Sequence, residues 1–141
     1  MLRLTAADEG DLAVISAQVQ DALLKRDDLN FDAKRRRFAL VANRFAWDAL
    51  PEKIRRRAGL HFDDVEAVQS HHLPASNRDA TLSLLAVTYE QAAKGKDPAG
   101  FVTLEFSGGI RIRLKVACIN ATLADIGGAW STDHVPAHGE E

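Results

Sequence analysis

Apolar residues recur along this chain with two different periods, and the switch between them predicts the elements. A short apolar start at residues 2–4 suits an edge strand, after which Leu12, Ile15 and Val19 recur at helical spacing. Asp8 is placed to cap that helix, and Glu9 and Asp11 bring negative charge to its first turn, where the helix dipole favours it. The predicted helix covers about residues 9–19. Beyond it the period falls to two. Leu29 and Phe31 alternate with Asn30, residues 32–35 supply a polar turn, and Phe38 and Leu40 fall on the face that meets Phe31 and Leu29. Residues 38–42 are apolar throughout, which predicts a strand covered on both faces.

Residues 48–59 hold Pro51 and three arginines and read as a connection with room for a helical turn. Strand pieces follow at residues 60–62 and 65–70, interrupted at Asp63 and Asp64, and residues 81–90 read as a central strand. The sharpest pattern lies at residues 101–118. Val102, Leu104 and Phe106 alternate with polar residues, as do Ile110, Ile112, Leu114 and Val116. A two-residue loop would set Phe106 against Arg111 and mix the faces. A three-residue loop over Ser107, Gly108 and Gly109 pairs Phe106 with Ile110 and Glu105 with Arg111, so this register is predicted. Asn120 then reads as the cap of a short helix ending near Gly127, with Ile119, Leu123 and Ile126 inward.

These elements predict an α+β fold: a curved, mostly antiparallel sheet of about six or seven strands with an N-terminal helix and a short C-terminal one. The outline is similar to a pleckstrin-homology-like barrel, a likeness of fold that carries no function. One domain over residues 1–130 and a flexible tail over 131–141 are expected.

Composition narrows the function classes. The apolar share of 46% and charged share of 27% are ordinary for a globular chain. A net charge of −2 disfavours a broadly basic, nucleic-acid-coating surface. The single cysteine, Cys118, excludes an internal disulfide. With no secretory signal and no apolar run long enough for a membrane span, the expected location is the cytoplasm.

Two arginine runs stand out: Arg35, Arg36 and Arg37, then Arg55, Arg56 and Arg57. Converging, they could grip phosphates or a partner's carboxylates bidentately; apart, they are solvated surface paired with acids. Arg44 and Trp47 near a strand end join them as binding candidates, since arginine and tryptophan anchor many interfaces. Arg111, Arg113 and Lys115 form a basic stripe on one strand face. Neither the adjacent His71 and His72 nor His134 and His138 supply a credible ligand set, so no metal and no cofactor are expected. Nucleophile-elbow, P-loop and dinucleotide-binding glycine patterns are all absent.

Three segments, residues 11–21 (DLAVISAQVQD), 37–47 (RFALVANRFAW) and 109–130 (GIRIRLKVACINATLADIGGAW), carry a resemblance. Through them the chain resembles a domain-of-unknown-function family of small alphaproteobacterial proteins. That resemblance implies a bacterial cytoplasmic protein and supplies no activity, cofactor or site residue. The leading reading is a non-enzymatic protein-binding or assembly module, its partner another protein or its own copy. The alternatives are anion, nucleotide or RNA binding through the arginine clusters, and an enzyme built on dispersed histidines and acids.

Overall fold

A computed structural model describes residues 2–131. In chain order these form β1 (Arg3–Ala6), α1 (Glu9–Val19), β2 (Ala22–Lys25), β3 (Leu29–Asp32), β4 (Arg37–Phe45) and β5 (Ile54–Phe62). They continue with β6 (Val65–His71), β7 (Thr81–Gln91), β8 (Gly100–Phe106), β9 (Arg111–Val116) and β10 (Ala121–Ser131). All the strands join one antiparallel sheet in the order β1-β10-β5-β4-β2-β7-β8-β9-β6, with β3 lying along β4 off that path. The sheet is strongly rolled around its core but does not close, because β1 and β6 are its two ends.

Local signals placed α1 well. The Asp8 carboxylate accepts the Asp11 amide at 2.8 Å, and Leu12, Ile15 and Val19 are buried beneath the helix. The helix packs on β7 and β1, and Ser16 Oγ accepts the Val87 amide at 2.9 Å beside a bulge in β7. Both predicted hairpins have the predicted register. Leu29 faces Leu40 and Phe31 faces Phe38, while Leu104 faces Ile112 and Glu105 faces Arg111. The Phe106 amide donates to the Ile110 carbonyl at 2.9 Å, across a loop in which Gly108 and Gly109 take φ of 78° and 76°. A side chain at either position would be strained there.

Three expectations need correction. The described residues form ten strands rather than six or seven, since β2 and β3 are separate short strands and β10 is added. The short C-terminal helix is instead β10. Its inward residues Ala121, Leu123 and Asp125 follow period two, and pairing with β1 and β5 overrides the helical spacing of Ile119, Leu123 and Ile126. Ile126 is 55% exposed, on the opposite face from the one a helix assigned it. Among the described residues no helix follows the strands and the sheet stays open, so the closing helix anticipated from pleckstrin-homology-like barrels is not found there. Finally, Arg55, Arg56 and Arg57 lie inside β5 rather than in a connection, each held in register opposite β4.

One apolar cluster fills the roll. It draws Phe38, Leu40 and Ala42 from β4, Ala58, Leu60 and Phe62 from β5, and matching rows from β8, β9 and β10. The inward row of β4 changes character at its last position, where Arg44 is fully buried. Its guanidinium makes two bonds to Asp125, Nε to Oδ1 at 2.8 Å and Nη2 to Oδ2 at 2.9 Å. Nη1 donates to Asp48 at 3.0 Å and to Gln18 at 3.3 Å. Asp125 also accepts the Leu2 amide at 2.8 Å and has Arg56 Nε 3.9 Å away. Burial alone would raise the Asp125 pKa, yet the Arg44 bond, the Leu2 amide and the charges of Arg44 and Arg56 outweigh it and hold it below the usual carboxylate range. Burial likewise opposes the charge on Arg44, and the two carboxylates overcome it, raising its pKa.

Such a pair is a poor source of net stability but a costly one to break, because either partner alone is a buried uncompensated charge. Arg44→Met or Asp125→Asn alone should cost about 3–5 kcal/mol by denaturant unfolding, and the Arg44→Met/Asp125→Leu double variant should recover much of that loss. The pH dependence has a defined sign. Because the folded Asp125 pKa is depressed, its contribution is fully present above the unfolded value of about 3.9 and is lost as pH falls through the lower folded value. Unfolding curves taken from neutral pH downward should show an acid loss in wild type that Asp125→Asn lacks.

Candidate functional site

The two arginine runs do not converge. Phe38 faces Phe62 at one end of the β4–β5 ladder and Phe45 faces Arg55 at the other. That span is about 24 Å of strand. At the first end, beside the β3–β4 turn, Arg35 lies 3.7 Å from Asp32, Arg36 lies 3.7 Å from Glu66 and Arg37 lies 2.7 Å from Asp63. At the other end the roles diverge. Arg44 serves the buried pair, and Arg56 turns toward it from β5. Arg55 donates to the carbonyls of Asn43 at 3.1 Å and Asp21 at 3.5 Å, with its guanidinium 5.9 Å from the Phe45 ring centre. Arg57 is exposed, with no carboxylate within 4 Å among the described residues. Trp47 is anchored to the body of the protein: its indole donates to the Gln20 carbonyl at 3.1 Å and its ring meets Phe45 edge-on at 4.6 Å.

Acid–base chemistry finds no assembled set among the described residues. His61 Nδ1 is 3.0 Å from Asp63, a carboxylate already engaged by Arg37. The strand ends at His71, and a φ of 61° at His72 turns the chain so that the two ring centres lie 3.9 Å apart with their planes tilted by 59°. Among the described residues no three His, Cys, Asp or Glu side chains gather as metal ligands, and His134 and His138 lie outside those residues. Cys118 is half-buried and donates to Asp64 at 3.5 Å. Burial, then the Asp64 bond and charge, push its pKa up, the direction that keeps the thiol protonated.

The unfinished edge of the sheet is a different kind of feature. The turn at Asp63 and Asp64, with φ of 59° at Asp64, lifts the chain off the β5 ladder and carries β6 onto β9. Three backbone bonds pin that turn: Asp63 to Asn120 at 2.8 Å, Val65 to Arg36 at 2.9 Å and Ala117 to Asp64 at 3.0 Å. From there β6 and β3 part. Among the described residues β6 pairs only with β9 and β3 only with β4, so each keeps one edge without a strand partner, and both strands line one groove. Between them lies a groove of about 170 Å³. Its floor includes the buried Phe38 and Ile112, and its walls the half-buried Leu29, Phe31, Val68 and Leu73.

Side chains of β6 alternate across this edge. Val68 and Ser70 face the groove, and Ala67, Gln69 and His71 share the outer surface with Arg111, Arg113 and Lys115 of β9. Register makes that surface a grid: Lys115 sits between Phe101 and Ala67, Arg113 between Thr103 and Gln69, and Arg111 between Glu105 and His71. Arg111 is bonded to Glu105 at 3.0 Å and Lys115 lies 3.9 Å from Glu66. Arg113 has no carboxylate within 4 Å among the described residues and lies 3.7 Å above the Phe101 ring. The basic stripe was legible in sequence. The groove was not, because Leu29, Phe31, Val68 and Leu73 come together only through the β5–β6 turn. Neither a curated protein nor a solved structure matches the chain. A family model described as "Protein of unknown function (DUF2948)" matches residues 2–138, and the chain therefore belongs to that family.

Proposed function

We propose that the protein is a non-enzymatic binding module that takes an extended segment of a protein partner along the free edge of β6. The observation that carries this reading is the pair of unpaired edges flanking an apolar groove. An incoming strand satisfies its own backbone groups against β6, and its alternate side chains fall on opposite faces. One row enters the groove beside Leu29, Phe31, Val68 and Leu73. The other lies on the outer surface, where Arg111, Arg113 and Lys115 stand one strand further in. The chemistry of the partner follows: a segment that alternates apolar with acidic residues.

The edge itself is suited to this. Exposed edges in stable proteins are commonly blunted by lysine or proline, and β6 (VEAVQSH) contains neither. Its protection is limited to Glu66 and the bulge between Val65 and Ala67, at the end pinned by the turn. The paired arginines at the β3–β4 turn and the dispersed histidines support the other readings less, since among the described residues no phosphate-sized cluster or acid–base set forms from them.

The test is a fluorescence titration with short synthetic peptides. A peptide alternating valine and glutamate should bind saturably, and its lysine-for-glutamate counterpart should bind roughly tenfold more weakly at low salt, a difference that shrinks as salt screens the stripe. Val68→Asp and, separately, Leu73→Asp should each weaken the first peptide by roughly tenfold or more under conditions in which circular dichroism shows the variant still folded. Equal binding of both peptides, or no effect of either variant, contradicts the proposal. Tighter binding of a single-stranded oligonucleotide than of either peptide moves the function to nucleic acid. A concentration-dependent dimer abolished by Val68→Asp makes a second copy of the chain the occupant.

A further inference from the structure

A second break in the sheet has its own chemistry. One edge of β4 is paired without interruption to β5 from Phe38 to Phe45. The opposite edge is shared: β3 covers Arg37 to Leu40, and β2 touches it only where Leu23 faces Asn43. Among the described residues Val41 and Ala42 have no strand partner on that side. The cause is topological. β2 must lie along β7, where Ala22 to Lys25 face Leu84 to Thr81, and β3 must lie along β4, so the chain crosses between them through a short 3-10 turn at Arg26–Asp28. The strands part, and a groove of about 470 Å³ opens on the outer face. It is within the size range of small-molecule sites.

The lining is neither bland nor balanced. Leu23, 37% exposed, and half-buried Val41 make an apolar wall. Lys25 and Arg57 line it, and among the described residues neither side-chain cation forms an ion pair with a carboxylate. The one acid of the lining, Asp28, is taken up by the backbone amide of Lys25 at 3.0 Å. The Asn43 side-chain amide is half-buried there with no bond of its own among the described residues. Arg57 is further placed by β10, which sets residues 126–128 against this one position. A Cβ on Gly127 would meet Arg57 Cβ at 3.1 Å, so the glycine leaves room for the arginine stem.

We infer that the groove where β2 parts from β4 binds a small organic anion, a carboxylate or phosphate carried on a compact apolar body, through Lys25 and Arg57. The head group sits between the two cations, within reach of the Asn43 amide, and the body lies on Leu23 and Val41. This site is on the outer face and does not depend on strand addition at β6.

Amide chemical-shift titrations of the full chain with phenylphosphate, benzoate, inorganic phosphate and benzyl alcohol test it. Saturable shifts should appear at residues 23–25 and 41–43 with phenylphosphate, benzoate or both, and the two arms tell a phosphate site from a carboxylate site. Lys25→Met and Arg57→Met, both changes of exposed side chains, should each weaken that binding roughly tenfold with the thermal midpoint unchanged. Val68→Asp should leave it as in wild type. No saturable shift at these amides with either aryl anion overturns the inference, as does undiminished binding by the double variant. Inorganic phosphate binding as tightly as phenylphosphate, or benzyl alcohol as tightly as benzoate, overturns the assigned ligand class.

Discussion

The bidentate bond between Arg44 and Asp125 sets the conditions for the rest of the sheet. It joins the last inward position of β4 to the last inward position of β10 before its bulge, and both side chains are out of water. Asp125 also exchanges bonds with the backbone of Leu2, accepting its amide on the side chain and donating its own amide to the Leu2 carbonyl at 2.9 Å. Gln18 of α1 and Asp48 complete the donors and acceptors. Four segments distant in sequence, around Leu2, Gln18, Arg44 to Asp48 and Asp125, therefore meet at one point. A buried charge is tolerated only with its partners in place, which makes this end of the roll a single arrangement rather than a family of them. Apolar packing of Phe45 and Trp47 beside it could vary; the fork of Arg44 cannot.

Besides the β10 bulge next to Asp125, the sheet is irregular at two further places. The Asp63–Asp64 turn is pinned by backbone bonds, and the strands it separates diverge away from it. Two openings result. One lies between β3 and β6, walled by apolar side chains and flanked by free backbone edges. The other lies between β2 and β4, apolar on one side and lined also by two cations. Their chemistry differs because of where they sit. The first looks into the core, so alternation brings leucine, phenylalanine and valine to it. The second is on the outer face, where lysine, arginine and asparagine belong. A rolled sheet that stops short of closure thus offers backbone recognition at one break and side-chain recognition at another.

Much of the fold was legible from spacing alone. The helix from Glu9 to Val19, its Asp8 cap and the registers of both hairpins follow from local periodicity, because each is decided by neighbours within about twenty residues. The last strand was not legible. Ile119, Leu123 and Ile126 satisfy a helical spacing as well as Ala121, Leu123 and Asp125 satisfy a strand one, and only pairing with β1 and β5 decides between them. Arg44 was singled out as a surface anchor, and nothing near it in sequence reveals a carboxylate eighty-one positions away that buries it. The openings were hidden for the same reason. Leu29 and Val68 signal core by composition, and their half-burial at an edge is a property of topology.

Strand addition at β6 makes one demand that side-chain contacts alone would not: new backbone hydrogen bonds. Amide hydrogen exchange, read residue by residue with and without the valine–glutamate peptide, measures them directly. Alternate amides of β6 beyond Val65, those not paired to β9, should exchange freely in the isolated protein and become protected at saturating peptide, together with alternate amides of β3 if the segment bridges both edges. Saturable binding that leaves every β6 amide exchanging at its original rate would contradict strand addition, whatever the affinity.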